Sequence, residues 1–200
     1  MRKAPERLIL SPMTEDRAEA ERWLRESGRA LDGIVAKRRD GAYEPGERAM
    51  FKVKLQRTAD CVVGGFRYDD RRALVASLLL GLYDDEDRLH HVGFTSALSA
   101  EERQEITPRL EALKGRSAFD GSAPGGVSRW SRGRSSEWVP IRPELVAEVG
   151  YDQVTGRRFR HGTSFIRWRP DKAPRQCRMD QLEPELRPAM LRELLGERVA

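Results

Sequence analysis

Apolar-rich segments separated by short turns recur along the chain after residue 57. Their lengths of seven to eleven residues, and the Gly and Asp residues between them, predict β-strands. The five segments are residues 60–68, 73–83, 89–95, 144–154 and 163–169. About five strands with a single helix among them are typical of an OB-type barrel, which binds oligonucleotides on one face and its loops. Other small β-barrels share this pattern.

The single helix expected within this set begins at Ser99, a residue type that caps helices, and runs to about Lys114. Residues 117–136 follow it and are rich in Gly, Ser, Pro and Arg, which predicts a basic loop. Strand-like residues resume at Glu137. The arginines of this loop that we consider further are Arg129, Arg132 and Arg134.

The first 57 residues have a different pattern, a strand, a helix and two more strands. Thr14 is the expected N-cap of the helix, and residues 31–37 are expected to form a buried strand. The four elements are residues 7–13, 14–27, 31–37 and 49–55. Such a fragment is too short to enclose a core, so we expect more chain or a partner to cover it. With a final helix at about residues 185–195, the class is α+β.

Charge and cysteine usage limit the kinds of partner and compartment. Lys plus Arg total 37 against 32 acidic residues, a net charge of +5, which suits a polyanionic partner but also any basic soluble protein. Cys61 and Cys177 are far apart and predict neither a zinc site nor a disulfide framework. With no apolar run of the ~18 residues that a membrane span needs, we expect a cytoplasmic protein without membrane association.

Two segments of the first part alternate charged and apolar residues. Residues 32–37 carry Asp32 and Lys37 at the two ends of an apolar stretch. Beside a phosphate, the carboxylate would hold a divalent cation and the lysine would neutralise phosphate charge. The alternative is a core strand with two solvated ends. In residues 51–54, Lys52 and Lys54 are expected on one face, with Phe51 and Val53 in the core. Two ammonium groups ~7 Å apart on a strand suit a phosphate, although lysines also protect edge strands.

A third segment, residues 165–172, repeats the pattern with arginines. Arg167 and Arg169 are expected on one face, and the turn that follows brings Asp171 and Lys172 close behind them. Guanidinium groups bind phosphates through two parallel hydrogen bonds. A solvated basic face is the alternative.

In this order, the three segments resemble motifs IV, V and VI of the covalent nucleotidyltransferases, the superfamily of DNA ligases and messenger RNA capping enzymes. The flanking residues resemble bacterial ATP-dependent DNA ligases of the end-joining type and disfavour a capping-type guanylyltransferase. These flanking residues are Tyr43, Pro45, Gly46, Arg48 and residues 58–66. The resemblance implies the C-terminal part of an adenylation domain at residues 1–57, an OB-fold domain at 58–182 and a tail at 183–200.

The resemblance also implies roles for individual residues. Lys52 and Lys54 would be catalytic residues that contact the α-phosphate of ATP and stabilise its charge. Asp32 would hold Mg²⁺, although the family usually has Glu at the position of Asp32. Phe51 stands where Trp is common. The implied nucleotide-binding residues are Lys37, Arg48, Lys52, Lys54, Arg167, Arg169, Asp171 and Lys172. Nicked or broken duplex DNA would bind the barrel and its basic loop through Arg129, Arg132 and Arg134.

The nucleophile motif Lys-x-Asp-Gly of this superfamily occurs nowhere in the 200 residues. Because the reaction starts with attack of that lysine on ATP, we expect a separate or upstream segment to supply it. The alternative is a catalytically inactive OB-fold module, left from a truncated ligase, that binds DNA without chemistry. In either case a bacterial cytoplasmic, nucleoid-associated location is expected.

Overall fold

The computed structural model describes residues 11–26, 33–54, 56–69, 71, 73–124 and 137–182. These residues fall into two compact units, one made of residues up to 54 and the other of residues 56–182. Within the described ranges, no helix is both long and apolar enough to cross a membrane. The expected helix at residues 185–195 and most of the expected strand at residues 7–13 lie outside the described residues.

The first unit contains one helix, α1 (Arg17–Glu26), and a ribbon of two antiparallel strands, β1 (Gly33–Lys37) and β2 (Met50–Lys54). The helix starts three residues after the expected cap. Asp16 caps it instead, because its side-chain oxygen accepts a hydrogen bond from the backbone N–H of Ala18 at 2.9 Å. Thr14 accepts from the N–H of Asp16 at 3.0 Å, so the expected cap supports the true one.

The second unit is built on a five-stranded antiparallel sheet in the order β5-β4-β3-β6-β9. The strands are β3 (Arg57–Tyr68), β4 (Val75–Tyr83), β5 (Leu89–Thr95), β6 (Val139–Tyr151) and β9 (Ser164–Trp168). A parallel bridge between Thr95 and Thr163 joins the two edges, and the N–H of Thr163 donates to the carbonyl of Phe94 at 3.2 Å. The sheet therefore closes into a barrel, and the predicted OB fold with one inserted helix is confirmed.

Helix α2 (Ala100–Ala112) lies between β5 and β6 in the sequence and packs on the barrel. Its predicted N-cap is confirmed: Ser99 and Glu102 satisfy each other's backbone N–H groups in a capping box. Ile106 and Leu110 are buried in the common core, and the Thr107 hydroxyl accepts from the N–H of Val75 at 3.0 Å. The helix is thereby fixed to the first residue of β4.

The connection between β6 and β9 differs from the sequence prediction. Strand-like residues were expected to resume at Glu137, with a strand at residues 144–154 after Pro143, whereas β6 runs unbroken from residue 139 to residue 151. The ladder with β3 shifts register opposite Gly64, so Pro143 lies where no backbone pair is required. A short hairpin of β7 (Val154–Thr155) and β8 (Arg158–Phe159), which was not predicted, then leads to β9.

Candidate functional site

Three lysines share one face of the β1–β2 ribbon. Met50, Lys52 and Lys54 alternate along β2 and therefore point to the same side, and Lys37 of β1 pairs directly with Met50. All three lysines are exposed. We call Lys37, Lys52 and Lys54 the lysine face; it unites the expected phosphate-binding residues of two separate sequence segments.

Close contact between the two strands explains the glycine at the start of β1. Gly33 has φ +152°, and a Cβ atom there would lie 2.1 Å from the carbonyl oxygen of Val53. Any side chain at this position would push β1 away from β2. The glycine thus keeps the strands paired, and with them the lysine face.

The opposite face of the ribbon corrects a sequence prediction. Phe51 and Val53 were expected in the core, but their side chains are 74% and 43% exposed. Val35, expected in a buried strand, is also exposed, and its pairing with Lys52 puts it on the lysine face. Two strands cannot enclose a core, so apolar side chains on the ribbon stay open within the described part of the chain. Arg48, another expected nucleotide ligand, is exposed just before β2.

Four of the expected site residues fall in segments that the structure does not describe. Asp32, the expected metal ligand, and Arg129, Arg132 and Arg134, the expected DNA contacts, lie outside the described residues. Among the residues that are described, no group of three or more His, Cys, Asp or Glu side chains is arranged to hold a metal ion.

In the barrel, Arg167 and Arg169 converge on one carboxylate, as their expected common face requires. The Nε of Arg167 lies 2.7 Å from Oε2 of Glu148, and Nη1 of Arg169 lies 3.6 Å from the same oxygen. Glu148 pairs with Arg167 across the β6–β9 ladder, which explains the first contact.

Arg169 has two further carboxylate partners. It donates from Nη1 to both oxygens of Asp60 at 2.9 and 3.1 Å, and from Nε and Nη2 to Asp171 at 2.8–3.2 Å. The hydrogen bonds to Asp171, and the charges of Asp60 and Asp171, raise the pKa of Arg169 above its ordinary value. In turn, the Arg169 guanidinium lowers the pKa of Asp171 to about 2.

Lys172 completes this cluster by donating to Oδ2 of Asp60 at 2.7 Å. Asp60 is itself held by Gln181, which accepts from its backbone N–H at 3.0 Å and donates to its carbonyl at 3.2 Å. We call the whole cluster the motif VI network; it consists of Asp60, Glu148, Arg167, Arg169, Asp171 and Lys172. Its cations are held in place by carboxylates from three parts of the barrel.

Two members of this network, Asp60 and Glu148, were not among the expected site residues. Each lies on a strand whose neighbours are mostly buried, and their side chains are only 13% and 16% exposed. A carboxylate at such a position needs a cation or several hydrogen-bond donors. This rule predicts that Asp60 and Glu148 have cationic partners, but it does not identify which residues those partners are.

Known proteins similar to this chain are DNA ligases. The family model for the C-terminal region of ATP-dependent DNA ligases matches residues 71–172. DNA ligase C1 of Mycolicibacterium smegmatis is 44% identical over 179 residues, which cover 86% of this chain and 51% of that protein. DNA ligase C of Mycobacterium tuberculosis is 41% identical over 193 residues, which cover 88% of this chain and 53% of that protein.

A solved structure agrees. The ligase domain of M. tuberculosis LigD superposes with a TM-score of 0.52 at 33% identity, over 72% of this chain and 46% of that one. The chain spans about half the length of the curated relatives it matches. The resemblance that began with three charged segments is confirmed, and the chain belongs to the ATP-dependent DNA ligases, whose C-terminal region it matches.

Proposed function

We propose that this chain is the C-terminal portion of an ATP-dependent DNA ligase that seals nicks during DNA repair and recombination. The lysine face carries this proposal. Lys37, Lys52 and Lys54 come from two sequence segments, yet pairing of β1 with β2 puts them on one face of the ribbon, with Lys37 opposite Met50. Three ammonium groups on one exposed surface repel each other, and a polyphosphate offsets that repulsion.

The proposed reaction starts outside this chain. A lysine on a separate or upstream segment attacks the α-phosphorus of ATP, pyrophosphate leaves, and a phosphoramidate forms. AMP then passes to the 5′-phosphate of the nick, and the 3′-hydroxyl displaces it to close the strand. Lys52 and Lys54 stabilise the negative charge on the α-phosphate in the first two steps, and Lys37 and Arg48 bind the nucleotide beside them.

The motif VI network is proposed to orient the leaving pyrophosphate. Arg167, Arg169 and Lys172 supply the cations, and Asp171 holds the Arg169 guanidinium through two of its nitrogens. The geometry supports this role because carboxylates hold the three cations together in one cluster. Pre-arranged charges lose little freedom when they bind a ligand.

Ligases of this kind also need a divalent cation, and we propose that it is Mg²⁺ held by Asp32. Ammonium groups cannot ligate a metal, so the lysine face itself does not fit one. Asp32 directly precedes β1, and a carboxylate there is the donor type that Mg²⁺ prefers. When bound, the cation would neutralise phosphate charge. The other proposed contacts with the nucleotide are made by lysine and arginine side chains of this chain.

Nicked or broken duplex DNA is the proposed second substrate. The barrel binds its phosphate backbone, and Arg129, Arg132 and Arg134 add contacts from the loop before β6. Because such DNA would be chromosomal, we propose that the protein acts at the nucleoid in the bacterial cytoplasm. The apolar side of the ribbon, with Phe51 74% exposed, is proposed to pack against the segment that carries the nucleophilic lysine.

The test is to mix this chain with a purified ligase segment that carries Lys-x-Asp-Gly and the preceding strands. We expect sealing of a nicked duplex that requires ATP and both polypeptides. In the same mixture, Lys54→Ala abolishes sealing, whereas Arg109→Ala, which removes a charge on the exposed side of α2, leaves it unchanged.

Two outcomes separate the alternatives. Tight DNA binding by this chain, with no sealing under any mixing condition, supports the catalytically inactive DNA-binding module. Sealing that Lys54→Ala does not reduce contradicts the role of the lysine face while leaving membership of the ligase family intact.

A further inference from the structure

A second cationic cluster lies on the barrel, separate from the motif VI network. It consists of Arg67 at the end of β3, His91 on β5 and Arg158 on β8. Nη2 of Arg158 lies 3.0 Å from Nδ1 of His91. Because arginine only donates, Nδ1 is the acceptor, and the imidazole is neutral with its hydrogen on Nε2.

The strand registers place Arg67 and His91 on the same face of the sheet. Arg67 pairs with Ser77 of β4, and His91 pairs with Gly81 of the same strand. Ser77 and Gly81 are four residues apart, so both point to one side of β4, and so do their partners. The β7–β8 hairpin packs against β5 and brings Arg158 to this face.

His91 orients Arg158 without cancelling its charge. Its ring is buried, with the residue only 4% exposed. Burial, together with the charges of Arg158 and Arg67, lowers the pKa of His91 to about 4. The imidazole therefore stays neutral at physiological pH, and it accepts from the Arg158 guanidinium without bringing a charge of its own.

Neither arginine has an acid partner within the part of the chain that the structure describes. Among the described residues, no carboxylate forms an ion pair with Arg67 or Arg158, and Nε2 of His91 has no hydrogen-bond partner. Arg67 is half-buried, and burial lowers its pKa below the ordinary value. Arg67 is therefore a partly desolvated cation, which an anion bound beside it would stabilise, whereas Arg158 is exposed and accessible to the same anion.

The position of this cluster indicates which anion it takes. Arg67 is the penultimate residue of β3, close to the turn between the first two barrel strands, and Arg158 lies in the connection between the last two. In OB folds these two connections flank the surface on which oligonucleotides bind. We propose that Arg67 and Arg158 together bind one backbone phosphate of duplex DNA, and that His91 is a positioning residue for Arg158.

This inference rests on the proposed binding of DNA by the barrel. The experiment measures the affinity of the full chain for a labelled nicked duplex by fluorescence anisotropy at several KCl concentrations. Arg67→Ala and Arg158→Ala are each expected to weaken binding roughly fivefold at ~50 mM salt and to lower the salt slope by about one. Arg109→Ala, on the exposed side of α2, is the matched control and leaves the slope unchanged.

The double variant tests whether one phosphate is shared. If both arginines hold the same phosphate, the slope of Arg67→Ala/Arg158→Ala falls by about one, as in either single variant. Slopes that fall by about two show separate phosphates and overturn the shared site. Unchanged slopes in all three variants overturn the inference alone, whereas wild-type protein that does not bind DNA overturns the proposed DNA binding with it.

Substitution of His91 distinguishes positioning from a merely structural role. In His91→Gln the amide oxygen can still accept from Arg158, so wild-type affinity and slope are expected. In His91→Leu the acceptor is gone, and the loss should match that of Arg158→Ala. Circular dichroism confirms that both variants are folded; equal DNA binding by folded Gln and Leu variants contradicts the positioning role.

Discussion

Two cationic regions of the same barrel are held in opposite ways. In the motif VI network, Arg169 and Lys172 lie within 3.0 Å of carboxylate oxygens. In the other region, Arg158 is held at 3.0 Å by a neutral imidazole, and Arg67 has no acid partner among the described residues. We infer that the first region keeps its cations on internal acids until a transient phosphate displaces them. The second region leaves its charge open for a phosphate of the DNA backbone.

The largest expected effect that tests this contrast is on catalysis. Arg169→Ala should lower ATP-dependent sealing in the complemented ligase by at least ~100-fold, because a donor aimed at developing phosphate charge is lost. The same variant should change affinity for the nicked duplex by less than about threefold. Gel-based sealing and anisotropy measure the two properties. An equal loss of both would mean that the two regions do not divide the work.

This division could be predicted only in part from the sequence. The bounds of β5 and the Ser99 cap of α2 follow from local patterns, and both are confirmed. The pairing of Arg169 with Asp60 does not follow, because Asp60 lies 109 residues away and meets it only when β3, β6 and β9 form one sheet. The charged residues of motif VI, Asp171 among them, were therefore predicted, whereas the carboxylates that β3 and β6 contribute, Asp60 and Glu148, were not.

His91 shows the same limit. Nothing local in β5 indicates that its ring is neutral, because Arg158 is 67 residues away in a hairpin of two-residue strands. The prediction that the apolar side of the ribbon is buried was wrong for another reason. Alternation correctly put Lys52 and Lys54 on one face, but it cannot tell whether anything covers Phe51 on the other. Period-two patterns define faces, and burial depends on the chain that packs against them.

The neutral imidazole predicts an acid-sensitive barrel. The folded-state pKa of His91 is about 4 against an ordinary value of 6.5, so between these values the unfolded chain binds more protons. Stability is therefore complete above pH 6.5 and falls as the pH drops toward 4, by about 3 kcal/mol from this residue. The charged groups that face the ring are Arg158 and Arg67; its aromatic neighbour Phe119 does not titrate.

Urea unfolding of wild type and His91→Gln at pH 7.5, 6, 5 and 4.5 measures the contribution of His91 to the free energy of unfolding. The difference in unfolding free energy between the two proteins should change steadily through the window, in favour of the variant at low pH. A constant difference would show that His91 is not held neutral, and that Arg158 lacks the neutral acceptor on which the contrast depends.

Removing a carboxylate from the motif VI network should destabilise the barrel less than the full acid titration of His91. Asp60→Asn keeps the size of the side chain but leaves Arg169 and Lys172 beside a neutral amide. We expect the free energy of unfolding to fall by about 2 kcal/mol, as when one partner of a partly buried ion pair is lost. Asp85→Asn, an exposed acid in the β4–β5 turn, is the control and should change stability by less than ~0.5 kcal/mol.

The smallest expected effect concerns Arg67, which has no acid partner among the described residues. Arg67→Met keeps much of the side-chain volume, removes a half-buried cation and breaks no ion pair with a described residue. We therefore expect stability to stay within ~0.5 kcal/mol of wild type, or to rise slightly, while the salt slope of DNA binding falls by about one. Urea unfolding and anisotropy on the same preparation give both values. A loss of more than ~1 kcal/mol would show that Arg67 is compensated within the folded chain, and the contrast with Arg169 would no longer hold.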